Sequence, residues 1–519
     1  MTTGKLIFKA TLLIAFFNLI SRVLGLLRDV VIAHQFGAGF QYDAYQMALK
    51  MPNMLFAIIS GALVTVVVPV YTEYAVRGEK EEAWKIFNTV LILVTLFYLA
   101  TSVLGVVGAP LLIKLVAPGF KGATQALTVD LARIVLPLMI FAGLASLFSS
   151  LLNANNIFGL PAFSTSVNNI FIIIFALTLG SLYDIQGLAL GAVLAMAAMA
   201  LVQFPALIKA GFRFRPALDL QHPGVKKVYF LALPAAIGIA VNQTNVYING
   251  VLASWLPEGS ISALSYADRL IQFPVGLFVL ALGTAVFPTL SGQAAEGNRE
   301  ALSKILLTSM KVVMVGIIPA SVGLMVLSRP IVTLVYMRGE FTQEAAVMTA
   351  AALLFYSVGL VGQASVILLT RGFYSLQDTR TPVKLGVVIV LINLALSLVF
   401  IRYLQHAGLA LANSLANLTY MILLLGFLKK KIPCLREGRL FKFTLAILVS
   451  AGMMATASYA VNGALAGWVH GAAGLAIQVG LAITAGILVY VAAFFALSRE
   501  AARLFLRAAR QAVSGRRGD

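Results

Sequence analysis

Charge is scarce in this 519-residue chain: Asp, Glu, Lys and Arg together make up only 11% of it. A soluble domain carries about 25%, so no water-facing surface can be covered from this supply. Cysteine is nearly absent. A single residue, Cys434, excludes an internal disulfide and a cysteine-built metal centre. The four histidines are scattered at positions 34, 222, 406 and 470, and no HExxH pattern, phosphate-binding P-loop or nucleophile elbow occurs. No cofactor is implied, and a transporter rather than an enzyme is expected. What fills the chain instead is apolar sequence, 60% of the residues, with a mean hydropathy of +0.95.

Apolar runs longer than 18 residues recur from end to end, which predicts an all-α polytopic membrane protein. The first run is followed by many others and shows no small-residue cleavage site, so a removed signal peptide is not expected. Fourteen spans are read, at roughly 8–34, 44–72, 85–113, 125–153, 160–182, 186–209, 227–255, 266–291, 301–335, 344–372, 381–402, 407–428, 441–463 and 471–497. The net charge of +19 would suggest nucleic acid in a soluble protein. Here the basic residues fall where cytoplasmic loops are expected. Lys5 and Lys9 precede span 1, and Arg77, Lys80 and Lys85 follow span 2. Lys209, Arg213, Arg215, Lys226 and Lys227 follow span 6, and Lys429, Lys430, Lys431, Arg436, Arg439 and Lys442 follow span 12. The tail holds Arg499, Arg503, Arg507, Arg510, Arg516 and Arg517. Outside loops and their edges keep only Lys114, Lys121, Arg329, Arg338 and Arg402. Both termini are therefore expected in the cytoplasm, anionic lipid is the expected neighbour, and nucleic acid is not a partner.

The chain also repeats itself. "YQMALKMPNMLFAIISGALVTVVVP" (45–69) resembles "YADRLIQFPVGLFVLALGTAVFP" (266–288), and "NIFGLPAF" (156–163) matches "LQDTRTPV" (376–383) in place, with Pro161 and Pro382 in register. An offset near 220 residues holds six spans, an even number, so the repeats are parallel, as in carriers built from two halves. The expected organisation is an N-lobe (1–218, spans 1–6), a C-lobe (219–430, spans 7–12) around a central cavity, and spans 13–14 with the basic tail (431–519).

Few charges lie within spans: Arg22, Arg28 and Asp29 in span 1, Asp43 and Lys50 in span 2, Asp268 and Arg269 in span 8. Each costs about 2.5–3.5 kcal/mol near a bilayer centre on insertion scales. At about 1.5 Å per residue, Arg22 lies about 20 Å and Arg28 about 28 Å from Lys9. Lys50 and Arg269, on spans running inward, fall at a similar depth, as the ceiling of an inward-facing cavity would. Two readings stand side by side. In one, these are structural pairs, such as Arg28 with Asp43 or Asp29 with Lys50, and a bend at Gly25 brings the charges of span 1 together. In the other, a net positive cavity binds an anion, and arginine suits phosphate because its planar fork donates two parallel hydrogen bonds. Lys311 is expected to snorkel inward. Asn153, Asn155, Asn156, Asn168 and Asn169 read as turn and cap residues. Asn242, Gln243 and Asn245 read as cavity-lining or cation-coordinating groups or, more plainly, as interhelical hydrogen-bonding groups, and "YMRGEFT" (336–342) reads as an outside turn.

"SRVLGLLRDVVIAHQFGAG" (21–39), "DAYQMALKMPN" (43–53), "YADRLIQFP" (266–274), "RGEFT" (338–342) and "GFYSLQDTRTPVK" (372–384) resemble, in order along the whole chain, the MurJ (MviN) lipid II flippases of the MOP exporter superfamily. The resemblance implies two six-helix lobes around a cavity and a lipid-facing groove formed by spans 13 and 14. It also implies transport of lipid II, an undecaprenyl diphosphate carrying a disaccharide-pentapeptide, to the outer leaflet of the bacterial cytoplasmic membrane for peptidoglycan assembly, with cell-wall synthesis enzymes as candidate partners. It marks Arg22, Arg28, Asp29, Asp43 and Arg269 as matching functional charged positions. There is one departure. Where the family often carries basic residues and Glu-Gly after the Pro-Asn of span 2, this chain has Phe56, Ala57 and Ser60-Gly61. Lys50 is then the candidate to supply charge on this span. The sodium site that the resemblance implies uses acids on spans 7 and 11. Span 7 has none and span 11 offers only Asn393 and Ser397, so sodium coupling is not expected. The alternatives are a flippase for another polyprenyl-diphosphate saccharide, a cation-coupled drug antiporter, which the positive cavity disfavours, and a non-transporting envelope scaffold.

Overall fold

A computed structural model describes residues 3–216, 218–434, 437–466 and 471–497. The expected basic tail from Arg499 to Arg517, together with Arg436 and His470, lies outside the described residues, as do the side chains of Lys5, Lys9, Asn242, Arg439 and Lys442. Among the described residues the secondary structure is helical throughout, as a lipid-embedded backbone requires: only helices and closed barrels satisfy their own N–H and C=O groups there.

The first half runs α1 (Thr3–Phe36), α2 (Phe40–Val76), α3 (Lys80–Val107), α4 (Ala109–Val116), α5 (Gly122–Val135), α6 (Leu138–Ala154), α7 (Gly159–Leu177), α8 (Leu179–Leu201), α9 (Phe204–Lys209) and α10 (Pro223–Ala253). The second runs α11 (Ser260–Pro274), a π-helical turn (Val275–Leu280), α12 (Ala281–Ala295), α13 (Arg299–Val326), α14 (Ser328–Tyr336), α15 (Gln343–Val358), α16 (Leu360–Ser375), α17 (Arg380–Lys431), α18 (Glu437–Leu465) and α19 (Gly471–Leu497). Breaks within spans have local causes. Pro137, which lacks an N–H, separates α5 from α6, and Pro274 immediately precedes the π-helical turn of span 8. α15 and α16 meet at Gly359 with a bend of 44°. By length and composition, ten of the described helices can cross a membrane, or eleven if that bent pair is one span. α17 counts once in that number although Gln405, at φ 50° and ψ −127°, divides its 52 residues into two helices.

The backbone carries the repeat seen in the sequence. Among the described residues, four that are not glycine have left-handed φ: Asn156, Asp184, Gln377 and Gln405. They form two pairs, Asn156 with Gln377 and Asp184 with Gln405, and both pairs are 221 residues apart, the same separation as Pro161 and Pro382. Left-handed glycines pair at nearly the same offset, Gly37 with Gly259, Gly78 with Gly297, and Gly122 with Gly339. Such φ values are costly for side chains, so their recurrence marks the same turns built twice.

The chain forms two compact units. The first holds Met1–Ala263 and Tyr336–Ala345. Its core joins α2, α3, α6 and α10 and includes Tyr71, Phe87 and Phe212, linked through the half-buried Trp84, with ring centroids 5.4–6.3 Å apart. The turn expected at "YMRGEFT" is present and docks in this unit. Glu340 donates its N–H to the carbonyl of His34 at 2.9 Å, and Gly339 lies so near that carbonyl that a Cβ would meet it at 2.2 Å. The second unit holds Leu264–Val335 and Ala346–Asp519. There α18 and α19 lie side by side, with Ser458 donating to the Ala482 carbonyl at 3.0 Å, and Tyr490 ties α19 to α13 through the Val315 carbonyl at 2.9 Å. The first unit extends past residue 218 to take in α10, which packs on α2. Lys311 departs from expectation. Rather than snorkelling, it is 8% exposed, with its ammonium 5.0 Å from the centre of the Phe443 ring, a contact that offsets part of its desolvation.

Candidate functional site

The charges of the first unit are gathered on α1 and α2 and held by partners far away in sequence. On α1, Asp29 is 4% exposed. Neighbouring residues on a helix point about 100° apart, yet the long Arg28 side chain folds back onto Asp29. Its Nε and Nη2 donate to Asp29 Oδ1 at 3.0 and 2.8 Å. Nη1 donates to Asn169 Oδ1 of α7 at 2.9 Å. Asn169 is itself oriented: its Nδ2 donates to the Ser21 carbonyl at 3.0 Å and to Ser21 Oγ at 3.2 Å. Three of the five guanidinium N–H groups are thus committed, and two are left on the fork. α1 is helical throughout Thr3–Phe36 with no break at Gly25, and a Cβ there would meet Asn169 Nδ2 at an ordinary 3.8 Å. Arg22, half-buried, lies on the same helix seven residues before Asp29.

Asp43 is 3% exposed at the start of α2 and bonds away from Arg28. Its Oδ2 accepts the Gly259 N–H at 2.7 Å, and its Oδ1 accepts the Ser262 N–H at 2.7 Å and the Ser262 hydroxyl at 2.5 Å. It therefore caps α11, satisfying donors that a helix N-terminus leaves open. Glu258 returns the favour at the start of α2, accepting the Phe40 N–H at 2.7 Å. The structural pairing of Arg28 with Asp43 does not form, and the carboxylate nearest to hand, Asp29, takes the arginine. Lys50 lies half-buried against Gly250 of α10. Phe56 sits on a neighbouring face of α2, packed with Leu49 and Phe141 on a buried cluster of Leu138, Ala142, Ala192 and Val193. Ser60 is buried and shares a 2.9 Å hydrogen bond with the Tyr98 hydroxyl.

In the second unit, Asp268 accepts from Gln272, one turn on, at 3.3 Å, and Arg269 is exposed on α11. Asn393 and Ser397 lie one turn apart on α17 and are fully buried. No cluster of three or more His, Cys, Asp or Glu fit to hold a metal occurs among the described residues.

The residue that sequence reasoning missed is Asn169. It was grouped with the turn asparagines around Pro161, but it lies ten residues into α7, on a helix interior where caps are not needed. A polar amide at that depth was the available signal. Asn156, by contrast, does turn the chain, at φ 61°.

The sequence profile of the lipid II flippase MurJ family matches residues 32–500. A probable lipid II flippase MurJ of Vibrio cholerae is 34% identical over 439 residues, 82% of this chain and 83% of its own length. The lipid II flippase MurJ of Burkholderia cenocepacia is 33% identical over 462 residues, 86% of this chain and 89% of its own. A solved lipid II flippase MurJ in an inward closed conformation superposes with a TM-score of 0.79 at 29% identity, covering 93% of this chain and 98% of that one. An inward-facing multidrug MATE transporter of the MOP superfamily shares the fold, with a TM-score of 0.71 at 16% identity over 81% of this chain and 98% of its own. The match spans nearly the whole chain and includes both repeats: the protein belongs to the MurJ family of lipid II flippases.

Proposed function

We propose that this protein carries lipid II across the bacterial cytoplasmic membrane by alternating access, from the inner to the outer leaflet, with its diphosphate held by arginine. The observation that carries this reading is the preset Arg28 fork, fixed by Asp29 and Asn169, with two N–H groups left for two oxygens of a phosphate. Asp29 and Asn169 act before the substrate arrives: the side chain is already ordered, so less entropy is lost on binding. Arg22 and Arg269 are proposed to add charge to the same headgroup, and Asp43 and Asp268 to hold the elements that present it. Fourteen crossings with both termini in the cytoplasm, repeats at 1–218 and 219–430, and a tail-binding role for 431–519 complete the proposal, with cell-wall synthesis enzymes as partners.

The test is complementation of lipid II flippase depletion by wild type and Arg28→Ala side by side, with lipid II exposure at the outer surface as readout. Rescue by wild type and failure of the variant support the reading, and full rescue by both removes the anion-binding role. A second reading, a flippase for another polyprenyl-diphosphate saccharide, is favoured by the apolar seat of Phe56, which leaves α2 without a cation at that level. Lysis with accumulated lipid II on depletion supports the first reading. Loss of a surface polysaccharide with normal growth supports the second.

A further inference from the structure

Lys50 is the one cation in the sequence of α2. Its side chain reaches α10 at Gly250, which is buried. A Cβ on Gly250 would stand 2.0 Å from Lys50 Nζ and 2.9 Å from both Cδ and Cε, where non-bonded heavy atoms need about 3.5 Å. The end of the lysine therefore occupies the volume that any other residue at 250 would fill. The backbone does not call for glycine at this place. Gly250 is helical, without left-handed φ, and glycine inside a helix is less favourable than alanine. The missing side chain serves the lysine.

Leu49 and Phe56 turn a neighbouring face of α2 to an apolar cluster. Asp43, seven residues earlier and about 10 Å away along the helix, has its carboxylate bonded to Gly259 and Ser262.

The geometry points to Gly250 as a positioning residue that opens a notch for the Lys50 ammonium and so fixes a further cation, besides Arg22, Arg28 and Arg269, for a phosphate-bearing headgroup. This rests on the proposed polyprenyl-diphosphate substrate and names a further residue that shapes its site. Gly250 touches no substrate; it acts through Lys50.

The experiment is a titration of the full-length protein, in phosphatidylethanolamine nanodiscs, with undecaprenyl diphosphate. Gly250→Ala evicts the ammonium and is expected to weaken binding roughly tenfold. Lys50→Met, which keeps the stem and removes the charge, is expected to do the same, and the double variant to lose nothing further. A merely structural glycine gives a different pattern, with losses that add in the double variant, and that result overturns the proposal. Unchanged binding by Gly250→Ala overturns it as well. If Gly250→Ala does not fold, Lys50→Met decides: wild-type affinity in that variant also overturns it. The underlying reading fails separately. If wild type does not bind undecaprenyl diphosphate, both ideas fall; if Arg28→Ala weakens binding and Gly250→Ala does not, only the notch does.

Discussion

The two sequence repeats build the same turns from different chemistry. Left-handed residues recur at one offset, 221 residues, in Asn156 and Gln377 and again in Asp184 and Gln405. The membrane charges do not recur. In the first repeat α1 carries Arg22, Arg28 and Asp29. In the second, the comparable helix α10 has no charge after Lys227 and offers Asn242, Gln243, Asn245 and Asn249 instead. The lesson is that the turns are shared between the halves, whereas the membrane charges sit on different helices, α1 and α2 in the first repeat and α11 in the second.

The sharpest way to break that comparison is to exchange charge for amide in each half. Arg28→Ala is expected to lower lipid II exposure roughly a hundredfold, since a bidentate charge-assisted contact is lost, whereas Gln243→Ala is expected to stay within about twofold. Equal losses in an outer-leaflet exposure assay would put the anion chemistry in both halves. Next come two helical aspartates, one from each half, Asp43 buried and Asp268 half-buried. Asp43→Ala strands two backbone N–H groups and a hydroxyl, at about 1–3 kcal/mol for each group left buried without an acceptor, so a marked fall in thermal stability in detergent is expected. Asp268→Ala removes one 3.3 Å contact to Gln272 and is expected to shift the same melt far less. Packing gives a smaller effect. In Gly143→Ala the new methyl would lie 2.4 Å from the Tyr98 ring and press on its bond to Ser60, a cost of about 1–3 kcal/mol. In the second unit, Gly386→Ala meets the Tyr420 hydroxyl at an ordinary 3.6 Å and is expected to be neutral or to stabilise by up to about 1 kcal/mol.

The smallest effect is a pH dependence in the loop before α17. Burial alone would raise the Asp378 carboxyl. The bonds from Lys431 at 2.9 Å and from the Thr381 N–H and hydroxyl outweigh that and bring it down to about 2. A depressed carboxyl stabilises the folded chain fully above its unfolded value, near 3.8, and that contribution disappears as pH falls through about 2. Lys431 is largely solvated, so a loss under about 1 kcal/mol is expected between pH 4 and 2. In Asp378→Asn that part of the acid melt should be flat; an identical curve would show that the pair contributes nothing.

Much of the fold was legible in advance. Apolar runs located the helices, and "YMRGEFT" and Asn156 were read as turns because glycine and asparagine report their backbone directly. The site was legible only as a set of charges. Asn169 lies 141 residues from Arg28, and Gly259 lies 216 from Asp43, distances over which no local pattern extends. Lys311 misled for the same reason: its length suggests an escape to water, and only packing supplies the Phe443 ring that keeps it buried.

The sequence by itself determined that the chain is helical, that it crosses the membrane many times, and that it repeats. Each follows from rules acting along the chain: a backbone in lipid must bond within its own helix, lysine and arginine stay with the cytoplasmic loops, and a left-handed turn needs its residue in place. Only the tertiary structure decided which charge meets which partner. Asp29 holds Arg28 with the help of Asn169, Asp43 serves as a cap, and Gly250 leaves its space to Lys50. A hydrogen bond depends on a few tenths of an ångström between helices distant in sequence, and that spacing exists only once the helices have packed.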